Sequence, residues 1–231
     1  MDAYVTAYSA LDARMKLVEV VANNLANAQT TGFKRDFGSL FQTDNGFDIG
    51  TQIDMSEGEL VNTGNGLDAA IDGNGFFAIQ TDRGVRYTRA GNFIVDSQGE
   101  LVTKDGSKVL STDDRPISAS DGTVAIQDGG VVTVDGNEVG RLKIVSFPDV
   151  RNLQKEGLFR FQWNGAPEQV QNVADPHIKA GYLERSNVNP VTEMVHLMSA
   201  YREFETVQRT VKTLVTDMNG KLIQELGRLT G

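Results

Sequence analysis

Apolar residues recur at alternating spacings of three and four at both ends of the chain, with sequence of a different pattern between. At the C-terminus the stripe runs Met194, Leu197, Tyr201, Phe204, Gln208, Val211, Val215, Met218, Leu222, Glu225 and Leu229. At the N-terminus it runs Tyr4, Tyr8, Leu11, Met15, Val18, Ala22 and Leu25. This spacing puts each set on one seam of a helix, the seam that a coiled-coil partner covers. It predicts paired terminal helices that serve subunit packing, and a chain built to join something. Gln208 and Glu225 are polar seam positions, a residue type that fixes register or partner at some expense of stability.

Cap signals bound the two helices. The first is expected from about Asp2 to about Gln29, ended at Thr30-Thr31-Gly32, where Gly32 can take the left-handed conformation of a helix C-terminus. Asn23, Asn24 and Asn27 are poor helix formers near that end, read either as fraying or as polar contacts to neighbouring helices. The last helix is expected to start with Asn189 as N-cap and Pro190 as first helical residue. It then continues past Gly220 to Leu229.

Between the stripes the period changes. Residues 33–66 scatter Phe33, Phe37, Leu40, Phe41 and Phe47 among Gly and Asp with neither a helical nor a strand period, and read as an extended linker. Residues 67–183 read as β structure: Leu67–Ile71, Phe76–Gln80, Val85–Thr88, Phe93–Val95, Leu101–Thr103, Val109–Ser111, Val124–Ile126, Val131–Val134 and Leu142–Phe147 are short apolar runs. Arg83-Gly84, Gln98-Gly99, Asp105-Gly106 and Asp135-Gly136 stand where hairpin turns belong. The expected fold is α+β: a helical domain of residues 1–32 with 185–231, the linker 33–66, and an all-β outer domain over 67–184.

The formal charge of −9 argues against a nucleic-acid partner, since phosphate binding needs a basic surface. Residues 1–29 hold three acids and two bases, and residues 190–231 hold five of each, so the middle carries −8. Nearly neutral ends can crowd together, while an acidic middle suits a solvated outer surface. There is no cysteine, hence no disulfide framework and no thiolate metal site. No apolar run is long enough for a transmembrane helix, and the N-terminus has no ordinary signal-peptide pattern, so export would need another route.

Candidate chemistry is sparse. Gly73-Asn74-Gly75-Phe76-Phe77-Ala78 has the spacing of a dinucleotide-binding turn, but a strand rather than a helix is expected after it, so the glycines read as turn residues. Asp68, Asp72, Asp96, Asp105, Asp113, Asp114, Asp121, Asp128 and Asp135 do not fit a calcium loop, and most adjoin residues that favour turns. His177 and His196 do not have zinc-site spacing. No catalytic, cofactor or metal residue and no small-molecule substrate are expected.

Several blocks taken together resemble the flagellar basal-body rod and hook proteins. Residues 22–34 (ANNLANAQTTGFK), with Asn23, Asn24, Leu25, Asn27, Thr30, Gly32 and Phe33, are similar to the N-terminal signature of that family. Residues 67–77 (LDAAIDGNGFF), with Asp72, Gly73, Gly75, Phe76 and Phe77, resemble the next block. So do residues 87–93 (YTRAGNF), with Thr88, Arg89, Gly91, Asn92 and Phe93. Residues 181–191, with Gly181, Leu183, Glu184, Ser186, Asn187, Val188 and Asn189, are similar to the C-terminal signature, although Arg185 stands where a small residue is expected.

The resemblance implies a bacterial axial structural protein and no enzyme. It implies export through the flagellar type III apparatus without a cleaved signal peptide, and a place in the rod across the periplasm. Its partners would be copies of itself and other rod proteins, with the terminal helices in the tubular core and the β domain outward. Short length and Asn187-Val188-Asn189-Pro190 favour the proximal over the distal rod. The terminal helices would be partly disordered in the monomer and would order on joining the growing tip. Two rivals from other classes remain in view: an adhesin-like oligomeric binding module, which predicts a closed oligomer, and a hydrolase using Asp/Glu pairs on the β domain.

Overall fold

A computed structural model describes residues 3–44, 46–120 and 122–229, with side-chain surroundings given from Val5 onward and, in the last helix, through Asp217. Helix α1 spans Ala3–Ala26 and helix α2 spans Pro190–Leu229. The Asn189 carboxamide accepts from the backbone N–H of Val191 at 3.0 Å and of Thr192 at 3.1 Å, the cap that the sequence calls for. At the other boundary Gly32 has φ +68°. A Cβ there would lie 2.4 Å from the Ala90 nitrogen, so close backbone approach requires glycine as much as the dihedral does.

The chain divides into two units. The first holds residues 1–26, 36–52 and 189–231. In it α1 packs along α2. Asn24 donates to Glu193 at 2.8 Å, and Arg14 pairs with Glu203. The two contacts are ten residues apart on each helix and run in opposite senses, so the helices are antiparallel. In that register residue 3 lies level with residue 214, and α2 continues roughly four turns further.

The segment read from sequence as an irregular linker is in part ordered β structure, which corrects that expectation. Asp36–Thr43 and Gly46–Ile53 form a two-stranded ribbon. Joined by only two residues, the strands must be antiparallel. The ribbon lies on α1: the Phe47 N–H donates to the Ser9 hydroxyl at 3.1 Å, and Lys16 reaches Asp48 at 3.4 Å. A Cβ at Gly38 would lie 2.7 Å from Leu17 Cδ1, so two glycine-bearing strands can approach the helix where a side chain would hold them off.

The second unit, residues 27–35 and 53–188, is built on a nine-stranded antiparallel sheet. Its middle strand, Phe76–Thr81, pairs with Gly84–Thr88, Lys108–Val109 and Ile144–Ser146. Alternate residues of this strand enter different cores. Phe77 and Ile79 join Ala69, Ile71, Phe93, Leu101, Ile117, Leu142 and Ile144. Phe76 and Ala78 join Tyr87, Leu110, Val145, Leu153 and Phe161. Burial on both faces explains why the strand reads as a continuous apolar run instead of alternating. Strands Val124–Ile126, Val131–Val134 and Asn137–Arg141 form a separate meander, whose Asp135-Gly136 turn has φ +50° and +85°, the two left-handed residues of a type I′ hairpin.

The expected strand runs between 67 and 147 all contain observed strands. Those at Leu60–Asn62, Asn137–Arg141, Leu153–Glu156, Arg160–Trp163, Gln171–Asn172, Ile178–Ala180 and Tyr182–Glu184 lacked a pattern strong enough to be read. Among the described residues no helix is long and apolar enough to cross a membrane.

Phe77 is fully buried and meets Phe93 edge-on at 5.1 Å. Phe77→Ala should lower unfolding stability by about 3–5 kcal/mol, read from urea denaturation. Val85→Ala, on the exposed side of the neighbouring strand, should stay within about 0.5 kcal/mol of the parent.

Candidate assembly surface

Each helix has one face turned into the molecule, and it overlaps the stripe read from the sequence only in part. In α1, Ala13, Val21 and Asn24 are buried, while Tyr8 is 71% exposed and Met15 51%. Ala22 is exposed, and Leu11, Val18 and Leu25 are half-buried. In α2, Glu193 and Ala200 are buried, and Leu197, Phe204, Val207 and Val211 are half-buried. Met194, Tyr201, Gln208 and Val215 are exposed. The internal face of α2 therefore runs 193, 197, 200, 204, 207, 211, again at spacings of four and three but sharing only 197, 204 and 211 with the expected seam. The side chains of Tyr4, Met218, Leu222, Glu225 and Leu229 lie outside the described residues.

The offset arises because the internal face contains polar groups that hydropathy counts as surface. Asn24 is fully buried. Its carboxamide donates to the Asp36 carbonyl at 2.8 Å, accepts from the Asp36 N–H at 2.9 Å, and donates to Glu193. A single side chain thereby joins both helices and the ribbon, and satisfies its own buried polar atoms. Of the other asparagines, Asn27 accepts from the Thr30 hydroxyl at 3.1 Å in the turn that ends α1, and Asn23 is exposed.

In the second unit residues from three of the signature blocks meet at one buried carboxylate. Glu184 is fully buried. It accepts from Lys34 at 2.6 Å and from the Gly58 N–H at 2.9 Å, with Arg89 Nε 3.4 Å from its second oxygen. Lys34 also donates to the Ser56 carbonyl at 2.6 Å, and Arg89 to the Gly73 carbonyl at 2.8 Å. Burial lowers the pKa of the Lys34 ammonium below the usual lysine value, and the adjacent Glu184 charge opposes that shift. Asn187 accepts from the Arg35 N–H at 2.8 Å and donates to the Asp54 carbonyl at 2.9 Å. Phe33 is capped by the Lys155 ammonium, 3.8 Å from the ring centre.

The other signature positions serve close packing and turns. A Cβ on Gly91 would lie 1.7 Å from the Ala69 carbonyl oxygen, and one on Gly75 2.7 Å from Ile144. Thr88 donates to the Phe159 carbonyl at 2.7 Å, and Asp72 pairs with Lys179 at 2.7 Å. Gly73 donates its N–H to Glu57 at 2.6 Å, Asn92 bridges to Asp68, and Gly181 donates to the Asp68 carbonyl at 2.8 Å. Leu183 pairs across to Val61, the Ser186 hydroxyl accepts from the Val188 N–H at 3.2 Å, and Val188 is buried. Arg185 turns outward, 3.6 Å from Glu59, so its size does not disturb the buried cluster.

Lys34, Ser56, Gly58, Lys155 and Glu193 were not singled out as contacts by sequence reasoning, because nothing in their spacing marks residues 150 positions apart as partners. The aspartates behave as turn residues: Asp96 accepts from the N–H groups of Gln98 and Glu100, Asp105 from Thr103 and Ser107, and Asp135 from Thr123. Asp121 lies outside the described residues. Gly75 is followed by a strand, so no helix N-terminus faces a phosphate there. Among the described residues no group of three or more His, Asp or Glu side chains is placed to hold a metal.

Glu184→Gln strands two buried cations and should destabilise the chain by about 3–5 kcal/mol in urea denaturation. Lys34→Met/Glu184→Met should lose less than the sum of the two single changes, because each single change leaves a charge unpaired.

Comparison with known proteins matches this anatomy. Three family models cover the chain in order: "Flagella basal body rod protein" over residues 5–34, "Flagellar hook protein FlgE/F/G D1 domain" over 70–134, and "Flagellar basal body rod FlgEFG protein C-terminal" over 179–225. The chain is 33% identical to the flagellar basal-body rod protein FlgF of Caulobacter vibrioides, over 96% of this chain and 98% of that protein. It is 34% identical to the flagellar basal-body rod protein FlgG of Agrobacterium fabrum, over 92% of this chain and 95% of that one. The FlgG protein of Bacillus subtilis is likewise 34% identical, over 92% of each chain. With ordered signatures, three matching models and full-length relatives in agreement, the chain belongs to the flagellar basal-body rod protein family.

Proposed function

We infer that the chain is a structural subunit of the flagellar basal-body rod that self-assembles through its terminal helices into a tubular axial structure. The observation that carries the reading is the surplus of apolar helix surface. One face of the α1–α2 pair is used within the chain, and a second stripe, with Tyr8, Met15, Met194, Tyr201 and Val215, remains exposed. Beyond residue 214 α2 has no described α1 residue level with it. A helix with two apolar faces and one internal partner has a face to give to another subunit.

Fully burying a Leu or Met side chain contributes roughly 1.5–3 kcal/mol, so several such positions per subunit offset the entropy of fixing the helices on assembly. In this reading the stripe residues pair in coiled-coil fashion between subunits, with Gln208 and Glu225 setting register. The β-rich unit faces outward. The proximal rod is the position favoured, on the short chain and the Asn187-Val188-Asn189-Pro190 segment; the distal rod is the alternative. Relatives named FlgF and FlgG match at nearly equal identity and carry no weight in that choice. Other rod proteins are the neighbours, and the flagellar type III apparatus is the route out, ending in a rod that crosses the periplasm.

Tyr8→Asp and Met15→Asp change exposed positions, so the isolated chain should keep its unfolding free energy to within about 0.5 kcal/mol. The same variants should fail to form rods and to restore swimming to a strain lacking this chain. Normal rods and motility from both would remove the exposed stripe from the assembly account.

A further inference from the structure

The exposed apolar surface of α2 is not a uniform stripe. Val191, Met194, Val195, Met198 and Tyr201 are between 50% and 74% exposed, all within the first three turns. Further along the same side, Glu205, Arg209 and Lys212 take over, and Glu205 pairs with Arg209 at 3.8 Å. The result is a bounded patch rich in methionine and valine. Arg202 stands at its edge, exposed and without an ion pair among the described residues.

The ribbon on α1 offers the complementary surface. Its first strand alternates inward and outward, so Phe37, Ser39 and Phe41 share one face and are exposed. The Phe41 ring lies over Gly50, where a Cβ would come within 3.4 Å of it. Phe47 is also exposed, at 38%. Residues 36–53 contain Asp36, Asp44 and Asp48 and no Lys or Arg. Asp48 is matched by Lys16, while Asp44 at the tip is exposed and without an ion pair among the described residues.

We propose that the outer face of the ribbon of one copy docks on the α2 patch of a second copy. The chemistry fits on three counts. Flexible methionines mould to aromatic rings and gain sulfur–aromatic contacts. The acidic ribbon tip meets the cationic edge of the patch, Asp44 against Arg202. The two surfaces differ and lie on the same unit, so the contact is heterologous and head-to-tail: each subunit that docks leaves one of each kind free, and growth is open where the rotation between successive copies does not close a ring. The proposal rests on the self-assembly reading above and adds to it a named pair of surfaces and a polarity.

The cysteine-free chain makes the test direct. Full-length Phe41→Cys and Met198→Cys proteins, each assembled alone and as an equimolar mixture, are treated with a short bismaleimide, and sedimentation of the parent chain is measured in parallel. The expected result is cross-linked dimer in the mixture and little in either protein alone. Arg202→Glu and Asp44→Lys should each weaken association about tenfold, and the two proteins mixed should recover most of it through the reversed pair.

Cross-links confined to like pairs, Phe41→Cys with itself or Met198→Cys with itself, would overturn the proposal in favour of a symmetric contact. Polymer in sedimentation without any cross-link in the mixture would overturn it while leaving self-assembly standing. A parent chain that sediments as monomer under all assembly conditions would overturn both.

Discussion

A buried carboxylate organises the β-rich unit. Glu184 lies three residues beyond the left-handed Gly181 and five before the N-cap of α2, while Lys34 lies two residues after the glycine that follows α1. Joining them holds together two points of chain that are 150 positions apart, and Arg89 adds the sheet to the same contact. Ions so deeply buried are expensive to desolvate, and well-packed apolar residues of equal volume could provide comparable stability. What an ion pair provides that an apolar pair does not is geometric choice: an ammonium and a guanidinium reach a carboxylate in few arrangements, and an incorrect register leaves a charge alone. The two segments so fixed are those that lead out of α1 and into α2.

The same logic runs through the helical unit on a smaller scale. Asn24 and Glu193 occupy positions on the internal face where an apolar residue would add more burial. Their hydrogen bond, with Arg14 and Glu203 ten residues away, sets the antiparallel register of α1 and α2. Alanines at 13 and 200 keep the face shallow. The larger side chains, Tyr8, Met15, Met194 and Tyr201, are placed outside it. An arrangement that gives most of the fully buried positions to small and polar residues, leaves Leu197, Phe204 and Val211 half-buried and places other large apolar side chains at the surface makes sense if part of the burial is reserved for contacts with other chains.

That allocation explains what could be read from the sequence. Spacing identified two amphipathic helices, their caps and the nine strand runs between 67 and 147, because each is a local pattern. It located the apolar stripes but only part of the internal faces: Leu197, Phe204 and Val211 belong to both, whereas Met194, Tyr201 and Val215 are turned outward and Glu193 and Ala200, which hydropathy does not mark, complete the buried face. The ribbon at 36–53 was illegible for a related reason. Its first strand places Phe37, Ser39 and Phe41 on the exposed face and Asp36, Gly38 and Leu40 on the inner one, with glycine where the helix approaches, so the usual apolar-in, polar-out rhythm is missing. The Lys34–Glu184–Arg89 cluster had no local signal at all. It became visible only as three signature blocks whose order matched a family, and the structure supplies the physical reason those blocks belong together.

In the assembly proposed above, an apolar side facing outward is a liability to a chain before it joins the rod. The charge distribution tempers it. The two helices are close to neutral and allow close approach, whereas the sequence between them carries −8 of the net −9, three of those negative charges on the ribbon beside α1, and repels at longer range. Salt screens that repulsion within about 10 Å at 0.1 M ionic strength and leaves apolar contact largely intact. In the same proposal, a chain placed at an existing end would meet helices already ordered and in register. The ordering entropy that opposes a first encounter has there been met by earlier subunits, so addition to an end is favoured over nucleation by the same residues that would otherwise make the free chain aggregate.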